Sequence, residues 1–184
     1  MYNFITEVIL GEAKQEDPKL EQLTLPYDRS DLDPVISEDT MNYHYGKLYK
    51  TYVDRVNSKE GDLEFNEAGA YLHHLYFAQF RSPKTGSKPI DAVNDLINEH
   101  FTDFDTFKDE VEKAAMAIQG SGWVYLSKNG TIKTIKNHAI RSDILLLIDW
   151  WEHSWALDYQ ADKGKYLKNI WQIIDWSVIN TRLL

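Results

Sequence analysis

Apolar residues recur at helical spacing as far as Ile118 and at strand spacing beyond it, so the chain reads as a helical part followed by a mixed one. The stripe Met41, Tyr45, Leu48, Tyr49, Tyr52, Val53 and Val56 predicts a first long helix. Ser37 is its N-cap, Glu38 and Asp39 suit its positive end, and Asn57 to Gly61 stops it. His44, Leu48 and Tyr52 share one line of that helix. Ala70, Tyr71, His74, Leu75 and Ala78 predict a second helix from about Asn66 to Phe80, with His74 inward and His73, rotated by about 100°, outward. Ile90, Val93, Leu96 and Ile97 mark a third helix, and Phe104, Phe107, Val111, Ala114, Ala115 and Ile118 a fourth that ends at Gly120. The period then drops to two. Residues 123–127 and 131–136 read as strands joined by the turn Asn129-Gly130, and 144–149 as a third strand. Helical segments over 155–159, 166–174 and 176–184 complete the chain. The expected class is α+β: an N-terminal helical hairpin over 25–84, then a C-terminal domain over 85–184 with a small three-stranded antiparallel sheet flanked by helices. Residues 1–24 read as an extension, with a short helix over 2–13.

Composition narrows the functional classes. Across 184 residues, 43% hydrophobic and 27% charged content is that of a globular chain long enough for a sizeable core. No apolar run approaches the roughly 20 residues that span a bilayer, so no membrane partner is expected. Without a basic leader at the N-terminus, cytoplasmic residence is the default expectation. The absence of cysteine removes disulfides, thiolate catalysis and iron–sulfur clusters, so any metal must be held by nitrogen and oxygen. A formal charge of −9 argues against general nucleic-acid binding and requires local positive charge to guide an anionic substrate.

The candidate chemistry centres on Asp149-Trp150-Trp151-Glu152-His153. Asp149 closes the apolar run Ile144–Ile148 and His153 follows four residues later, which brings a carboxylate and an imidazole to the end of a buried strand. A carboxylate there is costly unless paired, hydrogen-bonded or bound to a cation. An Asp cap beside an interfacial His fits this stretch alone equally well. With His44 and His74 added from two helices, three imidazoles and one carboxylate make a set suited to iron or manganese. The paired E-x-x-H of di-iron bundles, the H-E-x-x-H of zinc peptidases and the H-x-D/E of many iron oxygenases do not occur.

These residues also carry a family resemblance. Leu25-Pro26-Tyr27, Thr40-Met41-Asn42-Tyr43-His44 with Thr51-Tyr52-Val53, Phe65-Asn66-Glu67-Ala68-Gly69 with His74, Gly120-Ser121-Gly122-Trp123, Asp149 to His153, Lys165-Tyr166 and Asp175-Trp176 resemble, in order, the iron/manganese superoxide dismutases. The resemblance runs from about Leu23 to Arg182. It implies one iron or manganese ion per subunit, with His44, His74, Asp149 and His153 as ligands and superoxide as substrate. It implies Tyr52 near the substrate channel, Trp123 and Trp151 as cavity walls, and Lys47 and Arg182 as basic residues at the channel mouth. Glu152 resembles the acid that pairs with the partner's ligand histidine, which implies a homodimer through the Glu152–His153 region. Three features depart from the usual pattern. Where a glutamine ordinarily meets metal-bound solvent, the helix position reads as Ala70 and the sheet position as His138, and histidine there is similar to some archaeal members. The interval from His44 to His74 is short. Leu48 and Ala156 stand where a histidine and a tyrosine usually bridge the two sites of the dimer. The alternative expectation is a non-enzymatic metal-binding or interaction protein that keeps the fold.

Overall fold

Ser37 opens the first helix by accepting a hydrogen bond from the Thr40 amide. In the computed structural model, which describes residues 19–184, this helix is α1 (Glu38–Tyr43); the helix expected over 2–13 lies outside the described residues. α1 runs into a π-helical turn, His44–Tyr49, and then into α2 (Lys50–Ser58). The extra residue in the turn changes which side chains face inward. Met41, His44, Tyr49 and Val53 are buried, whereas Leu48 is only half-buried, so the expected straight line from His44 through Leu48 is broken by a five-residue step.

α3 (Leu63–Ala78) starts three residues before its expected onset, because Asp62 accepts a hydrogen bond from the Phe65 amide and supplies the cap. It lies antiparallel against α2 as the second arm of the hairpin. α4 (Asp91–Phe101) and α5 (Phe104–Met116) follow, the latter capped by Asp103. The sheet is β1 (Gly122–Ser127), β2 (Ile132–Lys136) and β3 (Ile144–Asp149), antiparallel in the order β2-β1-β3. β1 and β3 are buried along their whole length, so they read as near-continuous apolar runs. β2 is the partly exposed edge and carries Lys133 and Lys136, a common protection of an open edge. α5 packs on β1 and β2, while α3 and α8 (Trp176–Leu183) pack on β3.

After β3 the chain makes a 3₁₀ turn, Glu152–Ser154, then the short α6 (Ala156–Tyr159) and α7 (Lys163–Ile170). Asp149 shapes this exit. Its Oδ1 accepts the Trp151 amide at 2.7 Å, while the Ser154 and Tyr166 hydroxyls donate to its backbone carbonyl at 3.2 and 3.1 Å. The carboxylate is thus anchored through one oxygen, and Oδ2 is left to point into the core. No helix among the described residues is long and apolar enough to cross a membrane.

Candidate metal centre

Register places the acid. Trp123 of β1 is paired directly with Asp149 of β3, and opposed residues of an antiparallel pair project from the same sheet face, so the indole and the carboxylate turn toward the helical hairpin together. From the hairpin come His44, in the π turn, and His73, in the middle of α3. His153 enters from the 3₁₀ turn. One donor atom from each of His44, His73, Asp149 and His153 lies within 4.8 Å of the others. Asp149 Oδ2 is 3.2 Å from His44 Nε2, 3.5 Å from His153 Nε2 and 3.8 Å from His73 Nε2.

His73 therefore stands where the sequence suggests His74. α3 is apolar almost all round, so periodicity alone does not choose between its faces. Packing decides for the other face: Leu72, His73, Tyr76, Phe77 and Phe80 are buried, while His74 is exposed. His74 turns to a groove on the other side of the hairpin, with Nδ1 3.5 Å from the Tyr49 hydroxyl. A usable signal was present, since the aromatic residues Tyr76, Phe77 and Phe80 lie three, four and seven residues after His73. The same shift moves the helix position four residues before this histidine to Gly69, not Ala70, which faces the groove. A Cβ at Gly69 would come within 2.9 Å of the Tyr52 ring, so only glycine lets that ring lie against α3.

Nε2 of His44, His73 and His153 and Oδ2 of Asp149 are buried and make no hydrogen bond. Orphans of this kind are costly one at a time, and four pointing at one another are worse. Ligand atoms about 2.1 Å from a shared centre sit roughly 3–4 Å apart, the range of the three distances from Asp149 Oδ2 to the imidazoles. A cation at the centre satisfies all four at once. Protonation states agree. Burial, and then the neighbouring His153, lowers the pKa of His44 to about 4, and burial holds His73 well below the usual histidine range. Burial pushes Asp149 upward, but the His153 and His44 imidazoles outweigh it and keep the carboxyl well below the usual carboxylate range. His44 and His73 are thus neutral and Asp149 is ionised. His73 Nδ1–H donates to the Gly69 carbonyl at 2.7 Å, which fixes the tautomer that leaves Nε2 free as a ligand.

Around the four donors, Trp123 Nε1–H donates to His138 Nδ1 at 3.1 Å, and His138 Nε2 is 3.0 Å from the Tyr52 hydroxyl. An indole can only donate, so His138 Nδ1 carries no proton; the neutral ring carries it on Nε2 and donates it to Tyr52. Trp151 stacks on His138 with 4.6 Å between centroids, and Tyr52 lies 5.2 Å from His73. The basic residues are placed differently. Lys47 is exposed, its ammonium 6.0 Å from the Tyr43 ring. Arg182 is not a free cation: its guanidinium donates to the Leu75 carbonyl at 2.6 Å, the Leu145 carbonyl at 3.1 Å and Gln79 Oε1 at 3.2 Å. It ties α8 to the end of α3 and to β3.

Comparison with known proteins agrees with this architecture. Residues 19–61 match the α-hairpin domain of iron/manganese superoxide dismutases, and residues 89–182 match their C-terminal domain. A protein of Bacteroides fragilis named superoxide dismutase (Fe) is 36% identical over 186 residues, covering 86% of this chain and 96% of its own. One from Porphyromonas gingivalis, named superoxide dismutase (Mn/Fe), is 37% identical over 88% of this chain and 98% of its own. A third, from Pyrobaculum aerophilum and named superoxide dismutase (Fe), is 33% identical over 86% and 89%. Both domains match in order, and a third or more of the residues are shared along almost the whole length of these relatives, so the chain belongs to the iron/manganese superoxide dismutase family.

Proposed function

We propose that this protein is a superoxide dismutase that holds one iron or manganese ion between His44, His73, Asp149 and His153. The observation that carries this reading is the convergence of four buried donor atoms with no other partner. When bound, the ion supplies one-electron redox chemistry, oxidising one superoxide to oxygen and reducing a second, which takes two protons, to hydrogen peroxide. The chain's own part is charge, exclusion of water and proton placement. Three imidazoles and one carboxylate set the ligand charge, and the aromatic rings of Trp123, Trp151 and Tyr52 line the surrounding space. Because His138 donates to the Tyr52 oxygen, the phenol proton is left free to be offered into the site. Burial, and then the Asp149 charge, raises the Tyr52 pKa to about 12, so it remains a donor at neutral pH. Lys47 stands as the exposed cation that draws superoxide toward a chain of net charge −9.

A homodimer through the Glu152–His153 region fits the same reading. Glu152 is exposed beside His153, and with Trp155, Ala156 and Lys163 it borders an open hollow near Leu157, which is 60% exposed. The experiment is reconstitution of metal-free protein with iron or manganese, followed by metal analysis and a superoxide-decay assay. One ion per chain with decay far above the uncatalysed rate is expected. One bound ion without such decay would point to the non-enzymatic alternative.

A further inference from the structure

Of the three imidazoles, His73 has the longest approach to Asp149 Oδ2, 3.8 Å against 3.2 Å for His44 and 3.5 Å for His153. His153 follows Asp149 by four residues along the chain, whereas His73 arrives on a separate element, α3. How near His73 comes is therefore set by how α3 docks on β3.

That docking is made by hydrogen bonds along the open side of β3. The strand pairs with β1 on one side and, among the described residues, with no strand on the other. Side chains stand in for the missing strand. Arg182 donates to the Leu145 carbonyl at 3.1 Å, and the Ser154 and Tyr166 hydroxyls donate to the Asp149 carbonyl. Between them Gln79, fully buried at the C-cap of α3, meets Leu147 twice: its Nε2 donates to the Leu147 carbonyl, and its Oε1 accepts the Leu147 amide at 3.2 Å. One side-chain amide thus pairs as a strand residue would. The same Oε1 accepts from Arg182 at 3.2 Å, and the Gln79 carbonyl accepts the Asp175 amide at 2.8 Å, so both its side chain and its backbone are fixed.

The lever arms to the metal centre are short and regular. His73 lies six residues before Gln79, about 9 Å along a helix, and Asp149 lies two residues after Leu147, about 7 Å along a strand. We propose that Gln79 is a positioning residue of the metal centre, whose amide sets the distance between His73 and Asp149. Where a hydrogen bond of about 2.9 Å joins two elements, an apolar contact leaves them about 3.5–4 Å apart. That difference exceeds the roughly 0.2 Å to which ligand distances are held in a metal site. This role presupposes the four-donor centre proposed above.

The test uses full-length protein reconstituted with iron. Gln79→Met keeps the length of the side chain and loses the amide. Gln79→Glu keeps an oxygen to accept from Leu147 and Arg182 but loses the donor. Phe107→Leu is the control for stability alone, since the ring of Phe107 is buried against Phe101, Phe104 and Trp171. Iron affinity by chelator competition and the electron paramagnetic resonance spectrum of the ferric form are measured at a temperature where circular dichroism shows every variant folded, and thermal unfolding is followed separately. Partners that orient a ligand are worth roughly 10–100-fold in metal affinity, so Gln79→Met should weaken iron binding by about tenfold and change the rhombicity of the ferric signal, with Gln79→Glu between it and the parent. If Gln79→Met does not fold, Gln79→Glu alone decides. Phe107→Leu should melt earlier with parental affinity and spectrum. Gln79 variants that melt earlier yet keep the parental affinity and spectrum would overturn the positioning role and leave Gln79 a structural contact. A parent chain that takes up no iron would instead overturn the four-donor reading, and the positioning role with it.

Discussion

Replacing His73 and His74 one at a time separates the geometry of the site from its sequence pattern. His73 is fully buried, with Trp123, Tyr52 and His44 rings centred 5.1, 5.2 and 5.0 Å from its own. His73→Ala empties that space, which in a packed core costs about 2–5 kcal/mol. It also removes one donor of four. Loss of a partner that merely orients a ligand costs roughly 10–100-fold in metal affinity, so loss of the ligand itself should exceed about 100-fold. His73→Gln keeps much of the volume and distinguishes the two effects: it should restore most of the stability but not the metal. His74→Ala removes an exposed ring whose Nδ1 is 3.5 Å from the Tyr49 hydroxyl, which also accepts the Leu23 amide. Its cost should stay within about 0.5 kcal/mol, with metal content unchanged. The assays are metal per chain after reconstitution and thermal unfolding of the metal-free form. Full metal in His73→Ala with loss in His74→Ala would refute the reasoning.

Three further outcomes are expected. In the metal-free protein, burial lowers the pKa values of His44 and His138 to about 4 from an ordinary 6.5, so the unfolded chain takes up protons first as pH falls; stability should be full above about 6.5 and fall from there to about pH 4, whereas denaturant midpoints that stay level over this range would contradict it. Gly69→Ala should be destabilising although alanine is the better helix former by about 1 kcal/mol, because its Cβ displaces Tyr52 from His138; a rise in melting temperature would show that the ring can yield at no cost. Arg182→Ala takes the guanidinium donors away from the Leu75 and Leu145 carbonyls and should lower the melting temperature, an unpaired buried polar group costing about 1–3 kcal/mol, while Lys47→Glu should leave stability unchanged and slow superoxide decay most at low salt; the reverse pattern would make Arg182 the steering charge.

The order of elements was legible in the sequence because local rules govern it. Ser37 is a cap wherever it precedes acids and an apolar stripe, and Asn129-Gly130 turns a hairpin without help from distant residues. The change from helical to alternating periodicity near Gly120 separates hairpin from sheet for the same reason. Asp149 and His153 were legible too, since a carboxylate ending an apolar strand has few ways to be satisfied. Choosing between His73 and His74 was a tertiary matter. Adjacent residues on an evenly apolar helix differ only in which neighbour they meet, and it is the sheet, through Trp123 and Asp149, that selects the His73 face. The π turn at His44 is likewise invisible to a periodicity that assumes 3.6 residues per turn. Arg182 was readable as a cation but not as a clamp, because the carbonyls it holds come from α3 and β3, more than thirty positions away along the chain. Sequence determines what each segment can be, and long-range packing determines which atoms are left facing one another.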